Sequence, residues 1–255
     1  MMIKLIEENS FKALKVTLAN IMVKKIFPCL CAVILCNFIL LLYTQKAPNA
    51  SSEKYPFSLY GNEIKFDVFR EGKKVGFHHV KFSKQNTNLL VKSEFNIKID
   101  FLFLTAFSFY YKCDAIWKDG YLTKIKILVN DDGEKFSFEA IKKKNKMFMV
   151  GANEPLIADL PLFPTNHWNA QVLDKKTLLN TLTGEINNVL ISPFSKEKVM
   201  TESGRVLATR YVYSGDLDTQ VWYDTKGRWV KMEFKGRDDS TISYKCVKCQ
   251  GPRRG

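Results

Sequence analysis

The stretch that decides the fold is FLFLTAFSFYYKCDAIW, residues 101–117. In an extended chain successive side chains point to opposite faces. Phe101, Phe103, Phe107, Phe109, Tyr111, Cys113, Ala115 and Trp117 therefore share one face. The other face carries Leu102, Leu104, Ala106, Ser108 and Tyr110, and turns charged only at Lys112 and Asp114. A strand apolar on both sides is covered on both sides, walls a ligand cavity, or touches a membrane.

The same period runs outward from it. On the N-terminal side Leu89, Val91, Ser93, Phe95, Ile97 and Ile99 alternate with Lys92, Glu94, Asn96 and Lys98. Earlier, Ile64, Phe66 and Val68 alternate with Lys65 and Asp67, and Glu71-Gly72-Lys73-Lys74 turns the chain. On the C-terminal side Lys118-Asp119-Gly120 and Asn130-Asp131-Asp132-Gly133 bracket a strand, because Gly and, at lower cost than most residues, Asp accept the positive φ of tight hairpins. Residues 151–169, with Pro155, Pro161 and Pro164, read as a long loop, and residues 169–182 as a short helix. Strands resume at 185–192, 206–213, 219–223, 228–234 and 241–246. The pattern predicts an all-β, antiparallel barrel, half-barrel or sandwich of about a dozen strands.

Upstream lies a different physics. Residues 26–43, IFPCLCAVILCNFILLLY, carry no charge and are long enough to span a bilayer core as a helix. Lys12, Lys15, Lys24 and Lys25 precede them, which predicts a cytoplasmic N-terminus (1–25) and an exported β-domain. No A-x-A follows the run, and Leu35 before Cys36 argues against a lipoprotein site, so an uncleaved anchor is favoured over a cleaved signal. Met22-Val-Lys-Lys also reads as a signal start, with the same topology. The expected organisation is a linker at 44–60, the β-domain at 61–246 and a tail at 247–255.

The net charge of +13 is spread over strand faces, with one run at Lys142-Lys143-Lys144-Asn145-Lys146. No basic patch interleaved with stacking aromatics appears, which argues against nucleic acid as a partner. A solvated basic face, or attraction to anionic headgroups, fits better.

Several short motifs occur in order: Trp117-Lys118-Asp119-Gly120, Asp131-Asp132-Gly133, Pro164-Thr165-Asn166-His167-Trp168-Asn169, Thr183-Gly184, Ser214-Gly215-Asp216-Leu217, Trp222-Tyr223-Asp224 with Gly227, and Asp238-Asp239-Ser240-Thr241-Ile242-Ser243-Tyr244. Together they resemble a bacterial family of exported proteins classed as a domain of unknown function, over about residues 60–246. The resemblance implies a β-rich envelope domain with no established activity, here on the periplasmic side of an inner membrane. One departure is Asp239, where the family's turn has Gly; Asp still accepts the left-handed conformation.

Chemistry-bearing residues are few. His167-Trp168-Asn169 ends the Pro-rich loop and is the most site-like place. A hydrolase-like alternative would use His167 with a turn carboxylate, Asp131 or Asp224. The simpler account has Trp168 plugging the barrel while His167 and Asn169 bond the loop. His78 and His79 point to opposite faces and cannot share a metal, and no nucleophile elbow, phosphate loop or zinc motif is present. No metal or cofactor is expected. Cys113, Cys246 and Cys249 would lie in an oxidising space and form at least one disulfide, with Cys113–Cys246 and Cys246–Cys249 as the alternatives. The expected role is non-enzymatic: an apolar ligand such as a lipid held between Leu102, Phe103, Leu104 and Phe107 and the loop of His167, Trp168 and Asn169. A scaffold for an envelope protein is the alternative.

Overall fold

The computed structural model describes residues 55–101, 104–151 and 155–251. The expected anchor at 26–43, its linker as far as residue 54, and the site residues Leu102 and Phe103 lie outside the described residues.

Fourteen antiparallel strands form one sheet. The first eight are β1 (Glu63–Arg70), β2 (Lys73–Gln85), β3 (Asn88–Phe101), β4 (Leu104–Lys118), β5 (Tyr121–Asp131), β6 (Glu134–Lys143), β7 (Lys146–Gly151) and β8 (Leu156–Asp159). Then follow β9 (Thr177–Leu179), β10 (Ile186–Thr201), β11 (Gly204–Gly215), β12 (Thr219–Asp224), β13 (Trp229–Lys235) and β14 (Thr241–Lys248). Two meanders, β1 to β8 and β9 to β14, are joined by the pairing of first strand with last, Phe66 opposite Cys246 and Val68 opposite Tyr244.

The sheet curls because inward side chains from distant strands need a common apolar interior. Ile64, Phe66 and Val68 of β1, Val91 of β3, Cys113 and Ala115 of β4, and Ile125 and Ile127 of β5 are all buried. Their even or odd neighbours face water. Curling also needs close strand approach at β2, where a Cβ on Gly76 would fall 1.8 Å from the Asn96 carbonyl oxygen. Only Gly fits there.

The turns form where Asp and Gly predicted them. Asp119 and Gly120, then Asp132 and Gly133, all have positive φ, as a two-residue hairpin turn with right-handed twist requires. Asp239 sits at φ 60°, so the left-handed turn survives without Gly.

Two elements differ from expectation. The Pro-rich segment contributes β8, which pairs with β7. The expected helix at 169–182 shrinks to one 3₁₀ turn, Ala170–Asp174, capped by the Asn169 side chain, which accepts from the Gln171 N–H. Thr177–Leu179 then pairs with β10, because Leu178 and Leu179 reach the core from an extended chain.

Candidate functional site

The connection from β8 to β9 runs through the inside of the curled sheet, and its side chains define two unlike ends. Trp168 is buried and meets Trp117 at 5.3 Å, Phe82 at 5.4 Å and Tyr55 at 6.1 Å between ring centroids. The loop backbone is held by tyrosines: Tyr60 donates to the Trp168 carbonyl (3.1 Å) and Tyr223 to the His167 carbonyl (2.8 Å). The Trp229 N–H in turn donates to the Tyr60 hydroxyl. Trp168 is a plug in the sense expected from the sequence, and Asn169 serves its own turn.

His167 packs edge-on to Tyr213, whose hydroxyl lies 3.4 Å from Nδ1, and 5.6 Å from the Trp229 ring. Burial lowers its pKa to about 4, so the ring is neutral. His78 enters the same interior from β2, among Phe95, Trp229 and Tyr244, with Nε2 2.6 Å from the Ser93 hydroxyl. Burial, with a smaller contribution from His167, lowers its pKa to about 3.

A serine beside a histidine invites comparison with a nucleophile and its base. The chemistry fails on access and on the third group. Ser93 is 2% exposed, and among the described residues Nδ1 of His78 has no partner. The hydrolase-like alternative also fails to assemble. The Asp224 carboxylate is bound by Arg228 (2.6 Å) and by the N–H groups of Lys226 and Arg228, and Asp131 is paired with Arg237. Among the described residues no carboxylate hydrogen-bonds His167.

At the other end of β4 the described side chains are less completely covered. Inward of Tyr111, Phe109 and Phe107 are half-buried, facing half-buried Ile99 and buried Ile97 across the β3–β4 pair. Phe109 rests on Phe95 (5.6 Å), Phe95 on Tyr244 (5.7 Å), and half-buried Phe234 on Tyr244 (6.2 Å). These rings make an apolar mouth floored by His78, Tyr244 and Tyr111. Leu104, at 74% exposure, projects at the rim. The structure therefore separates what the sequence grouped. Phe107 and Trp117 are ten residues apart on β4, about 33 Å at the rise of a strand. Trp168 plugs one end and Phe107 lines the other. The sequence reading did not include Phe95, Phe109, Phe234 and Tyr244 among the ligand residues. Their shared parity was the available signal, but which strands curl together was not in it.

One ion pair crosses the mouth. Arg237, on the β13–β14 turn, bonds Asp131 at the end of β5. In the sheet β4, β3, β2, β1 and β14 lie between β5 and β13, so this contact is a chord across the curled sheet rather than a neighbour pair.

The disulfide joins Cys246 to Cys249, and Cys113 is free and buried, with its thiol pKa pushed up to about 11 by burial. Cys113 and Cys246 do share the inner face, but three strands lie between β4 and β14. Cys246 instead bonds Cys249, three residues on in the chain. The Glu202 carboxylate, at the β10–β11 turn, accepts from the N–H groups of Cys249 (3.0 Å) and Gln250 (2.8 Å), fixing the tail.

A curled antiparallel sheet with an internal plug defines an all-β, barrel-like protein. The solved structure described as a beta-barrel-like protein of domain of unknown function DUF1849, from Brucella abortus, is similar, with a TM-score of 0.53 at 12% identity. The match covers 75% of this chain and 98% of that one, and at this identity it concerns the fold alone. Residues 66–247 match the family described as Domain of unknown function (DUF6134), and the chain belongs to that family. No curated protein matches it.

Proposed function

We propose that this protein is a non-enzymatic envelope domain, anchored in a bacterial inner membrane by residues 26–43, whose open mouth binds the acyl chain of a lipid in the periplasm. The observation that carries the reading is the ring of half-buried, inward-facing Ile99, Phe107, Phe109 and Phe234 above a filled core. Aromatic walls that remain half-wet after folding gain by burying an apolar chain, at roughly 25 cal/mol per Å² removed from water. The anchor supplies proximity to such ligands. The small pocket lined by Phe136, Phe138, Met149 and Gly184, about 20 Å³, holds no more than a water and is not a rival site.

The test is to purify the full chain from membranes in mild detergent, extract it, and identify lipid by mass spectrometry. A dansyl-labelled fatty acid should brighten on binding, and Phe109→Asp should abolish this while Leu190→Asp, on the outer surface, should not. Protein free of co-purifying lipid, with no dansyl response, would overturn the ligand. A reporter fused at Ser52 that works only in the cytoplasm would overturn the topology.

A further inference from the structure

The lysine run singled out in the sequence lies at one corner of the fold and has company there. Lys142 and Lys143 end β6 and Lys144 opens the turn to β7, all three exposed. On the outer face beside it, Ile141 pairs with Phe148 and Phe148 with Ile157, so the three side chains form one row across β6, β7 and β8. Ile141 is 43% exposed and Ile157 57%; Val150, two residues from Phe148 on the same face, is 59% exposed. Lys143 Nζ sits 5.4 Å from the Phe148 ring centroid. Lys124 and Lys126 share Glu139, and Lys146 pairs with Asp159, whereas Lys142, Lys143 and Lys144 have no ion pair among the described residues.

Position adds a second argument. Ile141 pairs with Lys124, which pairs with Ile116, the neighbour of Trp117. The corner therefore belongs to the plugged end. Tyr55, the first described residue, packs on Trp168 at that same end.

We infer that this corner, Lys142–Lys144 with Ile141, Phe148, Val150 and Ile157, docks on an anionic lipid surface. This rests on the anchor in the proposed function but not on the ligand in the mouth. Aliphatic side chains enter the headgroup boundary while the lysines meet lipid phosphates, a combination that neutral headgroups satisfy only in part. A second copy of this chain would bring like charge against like charge.

The full chain is reconstituted in vesicles of phosphatidylcholine alone, or with one part in three of phosphatidylglycerol, and treated with a membrane-impermeant amine reagent. Peptide mass spectrometry reads each lysine. Lys142, Lys143 and Lys144 should label several-fold more slowly in the anionic vesicles, and Lys196 and Lys198 on β10 equally in both. High salt, or Ile141→Asp with Ile157→Asp, should remove the difference; Lys142→Gln with Lys144→Gln, a milder change, should reduce it at Lys143. Failure to float with phosphatidylcholine vesicles overturns the anchor. Flotation with equal labelling in both vesicles overturns the docking corner alone. Protection seen in native membranes and in neither vesicle points to a protein partner and also overturns it.

Discussion

β4 runs through both ends of the molecule, and the ends are built to different standards. At its C-terminal end Trp117 lies under Trp168, with Phe82 and Tyr55 against the same indole, and tyrosine hydroxyls bind the plug's carbonyls. At its N-terminal end Phe107 and Phe109 are half-buried, and Leu104, Thr105 and Ala106 are exposed. The inward face of β4 is apolar at both ends. What differs, among the described residues, is whether a loop from elsewhere arrives to fill the space. An apolar strand face states a demand for cover, and only the topology states whether the cover is protein.

The sharpest way to break this comparison is to empty the plugged end. Trp168→Ala should cost about 4 kcal/mol, whereas Phe109→Ala should cost about 1–2 kcal/mol, because a half-buried ring leaves no closed cavity. Urea unfolding of both variants checks it, and equal losses would mean the mouth is core after all. Next in size is the Asp224–Arg228 pair beneath the plug's tyrosines. The Asp224 side chain is 2% exposed and that of Arg228 13%. Asp224→Ala leaves the guanidinium without its carboxylate and the turn N–H groups without an acceptor, at about 3 kcal/mol. Unfolding of Asp224→Ala should therefore show a loss well above the usual exposed-pair value.

Acid should act through the interior histidines. His167 and His78 are held neutral, with pKa values of about 4 and about 3. An unfolded chain binds their protons near pH 6.5, so it gains protons first as pH falls. The stability these neutral rings contribute is whole above pH 6.5 and is lost toward pH 4. Between pH 7 and pH 5 the loss is about 2 kcal/mol per imidazole. Urea midpoints measured across that range should fall for the native chain and fall about half as far for His167→Gln.

Much of this fold was legible because its signals are local. The alternation from Leu89 to Trp117 became β3 and β4, and the Asp-Gly turns at 119–120 and 132–133 took the conformations their chemistry favours. Even Asp239, the departure from the family's glycine, holds φ 60°. The missing parts are non-local. Period two says that Cys113 and Cys246 face inward, but not that three strands separate them. It places His167 in a loop, but not against Tyr213, nor His78 against Ser93. β8 was hidden because three prolines mask an edge strand of four residues.

The smallest expected effect on stability probes the open end most directly. Arg237 is 82% exposed at its side chain and its pair with Asp131 is a surface pair, so Arg237→Ala should move stability by no more than about 0.5 kcal/mol. Yet this is the contact that chords the mouth between the β13–β14 turn and the end of β5. If acyl chains enter there, its removal should speed both binding and release of a dansyl-labelled fatty acid in stopped-flow mixing, with the equilibrium affinity nearly unchanged. High salt should speed the native protein in the same direction and leave Arg237→Ala largely unaffected, since screening weakens an exposed pair. Unchanged rates in the variant would show that the ligand does not pass between Asp131 and Arg237, and the mouth would then lose its claim to be the entrance. A large drop in stability would mean that the chord holds the two meanders together, and the contrast between a built end and an open one would fail with it.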